Sequence, residues 1–328
     1  MLKRKLKGSN KSVSAIGLGC LGIGGPFKRS DDSYIGYGQV DDNESIRMIH
    51  RAIELGINIF DTADIYGVGR SEKVLGKALE EYREDVVIAT KFASVFEEGN
   101  PNTPDKKNAS PEYIRSAIQA SLRRLKTDFI DIYQLHSSEH DPEDALKVRF
   151  VLDDLVQEGL IGGYGWSTDD PERAKIYAES KNCNSIQYAI HIARANPRMV
   201  DLCEKNNLLG LIRSPLASGI LTGKYNKDSK IAKDHMIYGW RDFFTSEEFL
   251  KRQEKLEELK NLLVEDGRSL IQGLLSYLWS TSETTIPIPG AKTIKQIEEN
   301  AAILELGPLK PNMIKKIDRL FEEIRVVV

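Results

Sequence analysis

The sequence predicts an α/β protein whose strands close into a (β/α)8, or TIM, barrel. Short apolar runs, typical of buried parallel strands, alternate with segments of helical periodicity along most of the 328 residues. Eight such runs can be counted, and eight βα units favour a closed barrel over an open sheet. Chemically useful polar residues stand at the ends of three successive runs, where a parallel barrel builds its active site. We therefore expect a single domain over residues 1–328.

The first half of the chain supplies four strand–helix units. The predicted strands are SAIGLGC (14–20), NIFDTAD (58–64), VVIATK (86–91) and IDIYQLH (130–136). The helices that follow them are ESIRMIHRAIELG (44–56), SEKVLGKALEEY (71–82), PEYIRSAIQASLRRLK (111–126) and DALKVRFVLDDLVQEG (144–159). Gly56 is a typical helix terminator, Ser71 and Ser110 are typical N-caps, and Pro111 suits the first helical position.

The second half repeats the pattern with one long interruption. Its predicted strands are IGGYGWS (161–167), SIQYAI (185–190), LGLIRSP (209–215) and TTIPIPG (284–290). The helices between and after them are PERAKIYAES (171–180), RMVDLCEKNN (198–207) and TIKQIEENAAIL (293–304). The interruption begins with residues 216–246, and a long loop in a compact domain is usually functional.

Two segments lie outside the eight units. Residues 1–13 predict a short polar β-hairpin that turns at Gly8-Ser9-Asn10. The C-terminal segment PNMIKKIDRLFEEIRVV (311–327) predicts an extra amphipathic helix packed outside the barrel.

Composition excludes several classes of protein. A net charge of −3 and an isoelectric point near 6.1 lack the basic footprint of a nucleic-acid-binding protein. No apolar stretch approaches the roughly 18 residues of a membrane span, and the N-terminus lacks the apolar core of a secretory signal. The three widely spaced cysteines suit reduced thiols, and neither a disulfide framework nor a metal site is expected. A cytoplasmic protein is the expectation.

Four residues at strand ends carry the candidate chemistry: Asp61, Tyr66, Lys91 and His136. Reduction of a carbonyl by hydride creates an alkoxide that must be protonated, and a tyrosine with an unperturbed pKa of about 10 can donate the proton. A neighbouring ammonium group stabilises the phenolate and lowers that pKa, a carboxylate holds the lysine, and a histidine can orient the substrate oxygen. Taken singly, Asp61 could cap a turn, Lys91 could lie on the surface and Tyr66 could pack at the rim.

Two other motifs would predict a Rossmann dinucleotide site and a metal site, and both predictions are less well supported. Gly17, Gly19 and Gly22 fit G-x-G-x-x-G, but no helix opens directly after them and no acidic residue follows at the Rossmann spacing. His136 and His140, with acidic neighbours, imitate a metal site, but they lie on a strand end and a loop and do not share one helix face.

The chain resembles an aldo-keto reductase over nearly its whole length. The resemblance rests on FDTADIYGVGRSEKVLGKAL, VVIATK, SLRRLKTDFIDIYQLH, GYGWST, SIQY, RSPLASGILTGKY and IPIPGAKTIKQIEEN, in that family's order. It implies a (β/α)8 barrel whose bottom is closed by the N-terminal hairpin, and reduction of aldehydes and ketones by NAD(P)H without metal or flavin. It also implies that Tyr66 is the general acid and that Asp61, Lys91 and His136 complete a tetrad.

The same resemblance implies a set of cofactor-binding residues. Ser167 and Gln187 match positions that bond the nicotinamide carboxamide, although Thr168 stands where relatives often have asparagine. The pyrophosphate would be wrapped by the segment from Ser214 to Tyr225, with backbone amides of Leu216, Ser218 and Gly219 and with Lys224 nearby. Gly290, Ala291 and Lys292 match a phosphate-binding loop, and Gln296, Glu299 and Asn300 match residues around the adenine and ribose.

Several functional questions stay open at this level. A lysine at position 292 favours NADPH over NADH, because it can pair with a 2′-phosphate. Arg213 replaces a tyrosine that stacks on nicotinamide in many relatives, and it either stacks there or turns away to bridge carboxylates at the rim. The alternative to a carbonyl reductase is a nicotinamide-binding regulatory or sensor subunit on the same fold. The expected partner is a small carbonyl compound, and the expected oligomeric state is a monomer or a weak homo-oligomer.

Overall fold

A computed structural model describes residues 3–226, 228–240, 243–322 and 326–327 of the chain. The predicted hairpin, long loop and C-terminal helix each include a few residues outside these ranges. None of the helices in the described ranges is both long enough and apolar enough to cross a lipid bilayer.

Eight parallel strands form the predicted barrel. After a hairpin of β1 (Lys3–Lys5) and β2 (Ser12–Ser14), the barrel strands are β3 (Leu18–Gly19), β4 (Ile59–Asp61), β5 (Val87–Phe92), β6 (Ile132–Leu135), β7 (Tyr164–Ser167), β8 (Cys183–Ala189), β9 (Leu209–Arg213) and β10 (Thr285–Pro287). Each strand pairs with the next in chain order. The backbone N–H groups of Gly17 and Gly19 donate to the carbonyls of Pro287 and Pro289 at 2.9 and 3.0 Å, which joins the first strand to the last.

Helices follow the strands and cover the outside of the barrel. They are α1 (Asp42–Glu54), α2 (Arg70–Leu79), α3 (Pro111–Leu125), α4 (Pro142–Gln157), α5 (Pro171–Ala178), α6 (Pro197–Asn206), α7 (Glu247–Leu263), α8 (Leu270–Trp279), α9 (Ile294–Ala301) and α10 (Pro311–Phe321). Ser110 caps α3 as expected, since its hydroxyl accepts the N–H of Tyr113, and Pro111 is the first helical residue.

Three details of the sequence-based prediction were wrong. Ser71 does not cap α2: the cap is Gly69 in a left-handed conformation, and the buried Ser71 hydroxyl donates to the Cys20 carbonyl at 2.9 Å. The interruption before β10 contains two helices, α7 and α8, that were not predicted. The C-terminal helix ends at Phe321, and residues 326–327 pair in parallel with residues 194–195.

The hairpin closes the bottom of the barrel, opposite the carboxyl ends of the strands. Leu6 and Val13 of the hairpin join the apolar cluster inside the barrel, together with Ile59, Val87, Ala89, Ile132, Leu209, Leu211, Ile286 and Ile288. Inward-facing residues of alternate strands form such a packed core in parallel barrels. The plugged bottom leaves the carboxyl ends of the strands as the open end, where the candidate residues lie.

Candidate active site

The carboxyl ends of β4, β5 and β6 bring the four candidate residues together. Asp61 is the last residue of β4, and Lys91 lies opposite Gln134 in the β5–β6 register. His136 follows β6 directly, and its backbone N–H donates to the Phe92 carbonyl at 2.9 Å. Tyr66 lies on the loop after β4. The residues converge because parallel strands end at one edge.

Lys91 is the buried centre of this group. Its side chain is fully inaccessible, and its ammonium group donates to Asp61 Oδ2 and to the Thr62 carbonyl, both at 2.7 Å. The third contact is with Tyr66 Oη at 3.5 Å. Burial alone would lower the pKa of Lys91, but Asp61 and Tyr66 outweigh it and raise that pKa above its usual value. The lysine is therefore charged at neutral pH.

Asp61 is held on both carboxylate oxygens. Oδ2 accepts from Lys91, and Oδ1 accepts from the side-chain amides of Gln134 and Gln187 at 3.2 and 2.7 Å. The two glutamines reach Asp61 from β6 and β8 across the barrel interior. A buried ion pair needs such additional hydrogen bonds to satisfy its remaining lone pairs.

The phenol of Tyr66 is protonated at neutral pH. Burial raises the pKa of Tyr66, and Asp61 adds to that effect, while Lys91 and Arg213 act in the opposite direction without cancelling it. The sequence-based expectation of a lowered pKa considered only the ammonium group and missed the larger contribution of burial. Because Lys91 donates to Tyr66 Oη, the hydroxyl proton of the tyrosine is free to donate elsewhere.

His136 is a neutral imidazole against the Tyr66 ring. The two rings meet edge to face, with centroids 6.1 Å apart. Burial lowers the pKa of His136 well below its usual value, and the nearby charges of Lys91, Lys107 and Arg213 lower it further. Its Nδ1 is buried and has no hydrogen-bond partner among the described residues.

A second carboxyl group, Asp64, is buried on the same loop. Its Oδ1 accepts the backbone N–H of Ile65 at 2.7 Å. Burial raises the pKa of Asp64 to about 8, and the carboxylate of Glu72 contributes to this rise. Glu72 itself accepts from Thr90 Oγ1 at 2.6 Å and from Arg124 Nε at 2.7 Å. Asp64 is thus mostly protonated at pH 7.

Three of the four candidate residues line one large cleft. Its volume is about 760 Å³, and Asp61, Tyr66 and His136 line one end. The cleft then runs along residues predicted to bind a cofactor: Gln187, Arg213, Ser214, Leu216, Ser218, Gly219, Lys224, Gly290, Ala291, Lys292, Gln296, Glu299 and Asn300. Of the predicted residues, Lys91 and Ser167 do not line the cleft. Lys91 is covered by Asp61 and Tyr66, and Ser167 is buried beside Gln187 at the end of β7.

Nearly the whole chain matches proteins of one known family. The family model for the aldo/keto reductase family matches residues 16–322. The chain belongs to the aldo/keto reductase family. It is 31% identical over 321 residues to an NADH-specific methylglyoxal reductase of Escherichia coli strain K12, covering 94% of each chain.

Two further relatives support the same assignment. The aldo-keto reductase yakc of Schizosaccharomyces pombe, designated NADP(+), is 28% identical over 332 residues, which cover 96% of this chain and 88% of the relative. The glycerol dehydrogenase AKR11B4 from Gluconobacter oxydans superposes with a TM-score of 0.83 at 27% identity, covering 98% of this chain and 95% of that one. The protein is an oxidoreductase that depends on a nicotinamide cofactor.

In this aldo-keto reductase the far end of the cleft is built from loops. The backbone bends through left-handed conformations at Ala217, Ser218 and Gly219, and the N–H of Gly219 donates to the Leu216 carbonyl at 2.9 Å. The ammonium group of Lys224 lies over the Tyr225 ring, 4.5 Å from its centroid. These turns and the lysine form one wall of the cleft.

Lys292 also lines the cleft and contacts a loop distant in the chain. Its ammonium group donates to the carbonyls of Tyr37 and Gln39 at 2.9 and 2.8 Å, and its backbone N–H donates to Gln296 Oε1 at 2.8 Å. Burial lowers the pKa of Lys292. Glu299, farther along α9, accepts from the Ser269 hydroxyl at 2.6 Å.

Two loops meet above this part of the cleft. The N–H of Met236 donates to the Gly36 carbonyl at 2.9 Å, and the rings of Tyr37 and His235 meet edge to face at 5.3 Å. Tyr37, His235 and Met236 all line the cleft. His235 and Met236 were missed from the sequence, because nothing in a polar loop indicates which residues fold back over a groove.

Gln134 and Asp169 were also missed, although a signal for each was present. Gln134 is a polar residue inside an apolar strand run, directly before Leu135-His136. Asp169 comes two residues after Ser167, at the end of β7, so it obeys the same strand-end rule as the tetrad. Asp169 accepts from Arg213 at 2.5 Å, so Arg213 both lines the cleft and pairs with a carboxylate at its rim.

Proposed function

We propose that this enzyme reduces aldehydes or ketones to alcohols with NADPH, and that Tyr66 is the general acid. The observation that carries the proposal is the contact between the Lys91 ammonium and Tyr66 Oη, at the bottom of a cleft large enough for a dinucleotide and a small substrate. A protonated phenol beside a buried cation is suited to give up a proton to a developing alkoxide.

The chain's own residues account for the proton transfer. When bound in the cleft, a reduced nicotinamide would supply the hydride. The Tyr66 hydroxyl donates its proton to the substrate oxygen, since its own oxygen already accepts from Lys91. The phenolate that remains is stabilised by the ammonium group at 3.5 Å, and Asp61 keeps that group charged and in place.

His136 orients the substrate oxygen in this proposal. The imidazole is neutral, lies beside the Tyr66 ring and lines the cleft. A neutral histidine can donate one hydrogen bond without adding a charge, so it directs the carbonyl toward Tyr66 without competing as an acid.

The remaining cleft residues fit a nicotinamide dinucleotide. We assign the carboxamide to Gln187 and to Ser167, which is buried beside it, the pyrophosphate to the segment from Ser214 to Tyr225, and the adenosine end to Gly290, Ala291, Lys292, Gln296, Glu299 and Asn300. The donor set supports this, because Lys224 and Lys292 place two ammonium groups along the cleft, away from the tetrad. Phosphate groups are the anions that such paired lysines and turn amides recognise.

The preference for NADPH rests on Lys292. Its ammonium group uses two contacts with backbone carbonyls and keeps a third donor for a 2′-phosphate. NADH lacks that phosphate and would gain nothing from the third donor. One relative is designated NADP(+) and another is NADH-specific, so the measurement must compare both cofactors.

Steady-state turnover with an activated aldehyde tests the proposal. We expect NADPH oxidation by the wild type, and a loss of about 10²–10⁴-fold in kcat for Tyr66→Phe with NADPH affinity nearly unchanged. Tyr82→Phe is the matched control, because Tyr82 packs against His50 at 5.5 Å, outside the cleft, and should keep full activity.

Two outcomes would contradict the proposal. If Tyr66→Phe keeps more than about a tenth of wild-type turnover, Tyr66 is not the general acid. If the wild type binds NADPH tightly but reduces no carbonyl compound in a broad panel, the alternative of a nicotinamide-binding regulatory subunit replaces the enzyme.

A further inference from the structure

Three charged side chains meet beside the tetrad, and we call them the Asp169 cluster: Asp169, Arg194 and Arg213. Asp169 Oδ2 accepts from Arg213 Nη2 at 2.5 Å and from Arg194 Nη2 at 2.9 Å. One carboxylate thus compensates two guanidinium groups, so the cluster keeps a net positive charge. All three side chains are only partly exposed, from 22% for Asp169 to 34% for Arg213.

Asp169 is rigidly placed by groups other than the arginines. Its Oδ1 accepts the backbone N–H of Ala189, the last residue of β8, at 2.7 Å. Its carbonyl accepts from Asn196 Nδ2 at 2.8 Å, and Asn196 is almost fully buried where it caps α6. The carboxylate therefore has a fixed position relative to the strand ends, independent of the long arginine side chains.

Arg213 connects this cluster to the chemistry. It is the last residue of β9, it lines the cleft together with Gln187, Tyr66 and His136, and it is the one member of the cluster that does so. Its charge opposes the rise in the pKa of Tyr66 and contributes to the lowered pKa of His136. In the proposed function this position is the nicotinamide end of the cleft.

We propose that Asp169 is a positioning residue that fixes the Arg213 guanidinium at the nicotinamide end of the cleft. Its negative charge also limits the degree to which the enzyme binds reduced cofactor more tightly than oxidised cofactor. This inference rests on the proposed function, since it needs the nicotinamide to lie beside Arg213. The oxidised ring is cationic and the reduced ring is neutral, so positive charge nearby weakens binding of NADP⁺ and leaves NADPH little affected. Asp169 partly cancels that positive charge.

A double-mutant cycle tests the inference with equilibrium binding as its readout. For each variant the dissociation constants of NADP⁺ and NADPH are measured by fluorescence titration, and their ratio is compared. Asp169→Asn should raise the NADP⁺/NADPH ratio roughly tenfold, because two arginines lose their shared anion. Arg213→Leu should lower the ratio, and Asp169→Asn combined with Arg213→Leu should lie between the two single variants.

Two further variants separate positioning from a merely structural role. Asp169→Glu keeps the negative charge and should restore the ratio toward that of the wild type. Asp170→Asn is the matched control: it removes a neighbouring carboxylate that caps α5, asparagine caps equally well, and Asp170 does not line the cleft. The ratio should stay at the wild-type value in this control.

Several results would overturn the inference. If Asp169→Asn weakens the binding of NADP⁺ and NADPH equally, Asp169 has a structural role only. If the NADP⁺/NADPH ratio of dissociation constants falls in this variant, Arg213 has left the cleft. If Asp169→Asn does not fold, an unchanged ratio in Arg213→Leu overturns it equally. Wild-type protein that binds neither cofactor would refute the proposed function, and this inference with it. Normal turnover by the wild type, together with an unshifted NADP⁺/NADPH ratio in Asp169→Asn, would refute only the inference.

Discussion

The two ends of the cleft are built in different ways. At the proposed catalytic end, Asp61, Lys91 and His136 stand on or directly after strands, and Lys91 is fully buried with an acceptor 2.7 Å away. At the proposed cofactor end, Lys224 and Lys292 stand on loops, and their contacts are with an aromatic ring and with backbone carbonyls of another loop. One end is a rigid ion pair inside the barrel, and the other is a set of partly exposed cations.

This difference predicts different responses to mutation. A buried charge that loses its partner cannot be rehydrated, so a single substitution at the catalytic end should affect both folding and rate. A partly exposed cation on a loop can be replaced by water, so a substitution at the cofactor end should affect binding and leave the fold intact. The predictions below test this contrast, beginning with the largest effect.

Lys91→Met should have the largest effect, because it leaves the Asp61 carboxylate buried without a cation. Removing one partner of a buried pair costs about 3–5 kcal/mol in the free energy of unfolding. We expect a loss of this size in urea unfolding, together with loss of carbonyl reduction.

The matched control for Lys91→Met is the double variant with Asp61→Asn. With both charges gone, most of the stability should return while activity stays absent, because the stabilised phenolate is not restored. If Lys91→Met alone is as stable as the wild type, the Asp61–Lys91 pair is less isolated from water than its burial indicates.

Asp64→Asn should stabilise the protein, and more at high pH than at low pH. The folded-state pKa of Asp64 is about 8, and the unfolded value is about 4, so wild-type stability falls as the pH rises from about 4 to about 8. Asparagine carries no proton to lose, and its oxygen can still accept from Ile65. The gain in unfolding free energy should therefore grow by about 2–4 kcal/mol between pH 5 and pH 8.

The measurement is thermal and urea unfolding of the variant and the wild type at both pH values. Asp32→Asn is the control, since Asp32 is exposed and its replacement should give no pH-dependent gain. A gain for Asp64→Asn that is the same at pH 5 and pH 8 would mean that Asp64 is ionised throughout this range.

Lys292→Ala should have the smallest effect, confined to cofactor binding. Loss of a charge-assisted contact of about 1.5–3 kcal/mol predicts roughly 10- to 150-fold weaker NADPH binding, with a much smaller change for NADH. Lys295→Ala is the control, because Lys295 is exposed near the start of α9, three residues after Lys292, and does not line the cleft. Equal losses for the two cofactors would assign Lys292 to holding the Tyr37–Gln39 loop and not to a 2′-phosphate.

The fold was largely predictable because each element carries its own local signal. Ser110-Pro111 predicted the start of α3, and all eight barrel strands lie in or beside the apolar runs that predicted them. The failures have local causes too: Gly69 supplied a left-handed cap that made Ser71 unnecessary as a cap, and helices α7 and α8 follow the predicted loop of residues 216–246, in a stretch for which no element was predicted.

The sequence by itself determined which residues meet at the catalytic end. Once strands are parallel and closed into a barrel, residues at their carboxyl ends must converge, so Asp61, Lys91 and His136 needed no further information. Only the tertiary structure decided the partners of the long charged side chains. Lys292 bonds a carbonyl 253 residues away, and Arg213 shares Asp169 with Arg194. Such pairs depend on where separate loops lie in space, and no periodicity along the chain encodes that position.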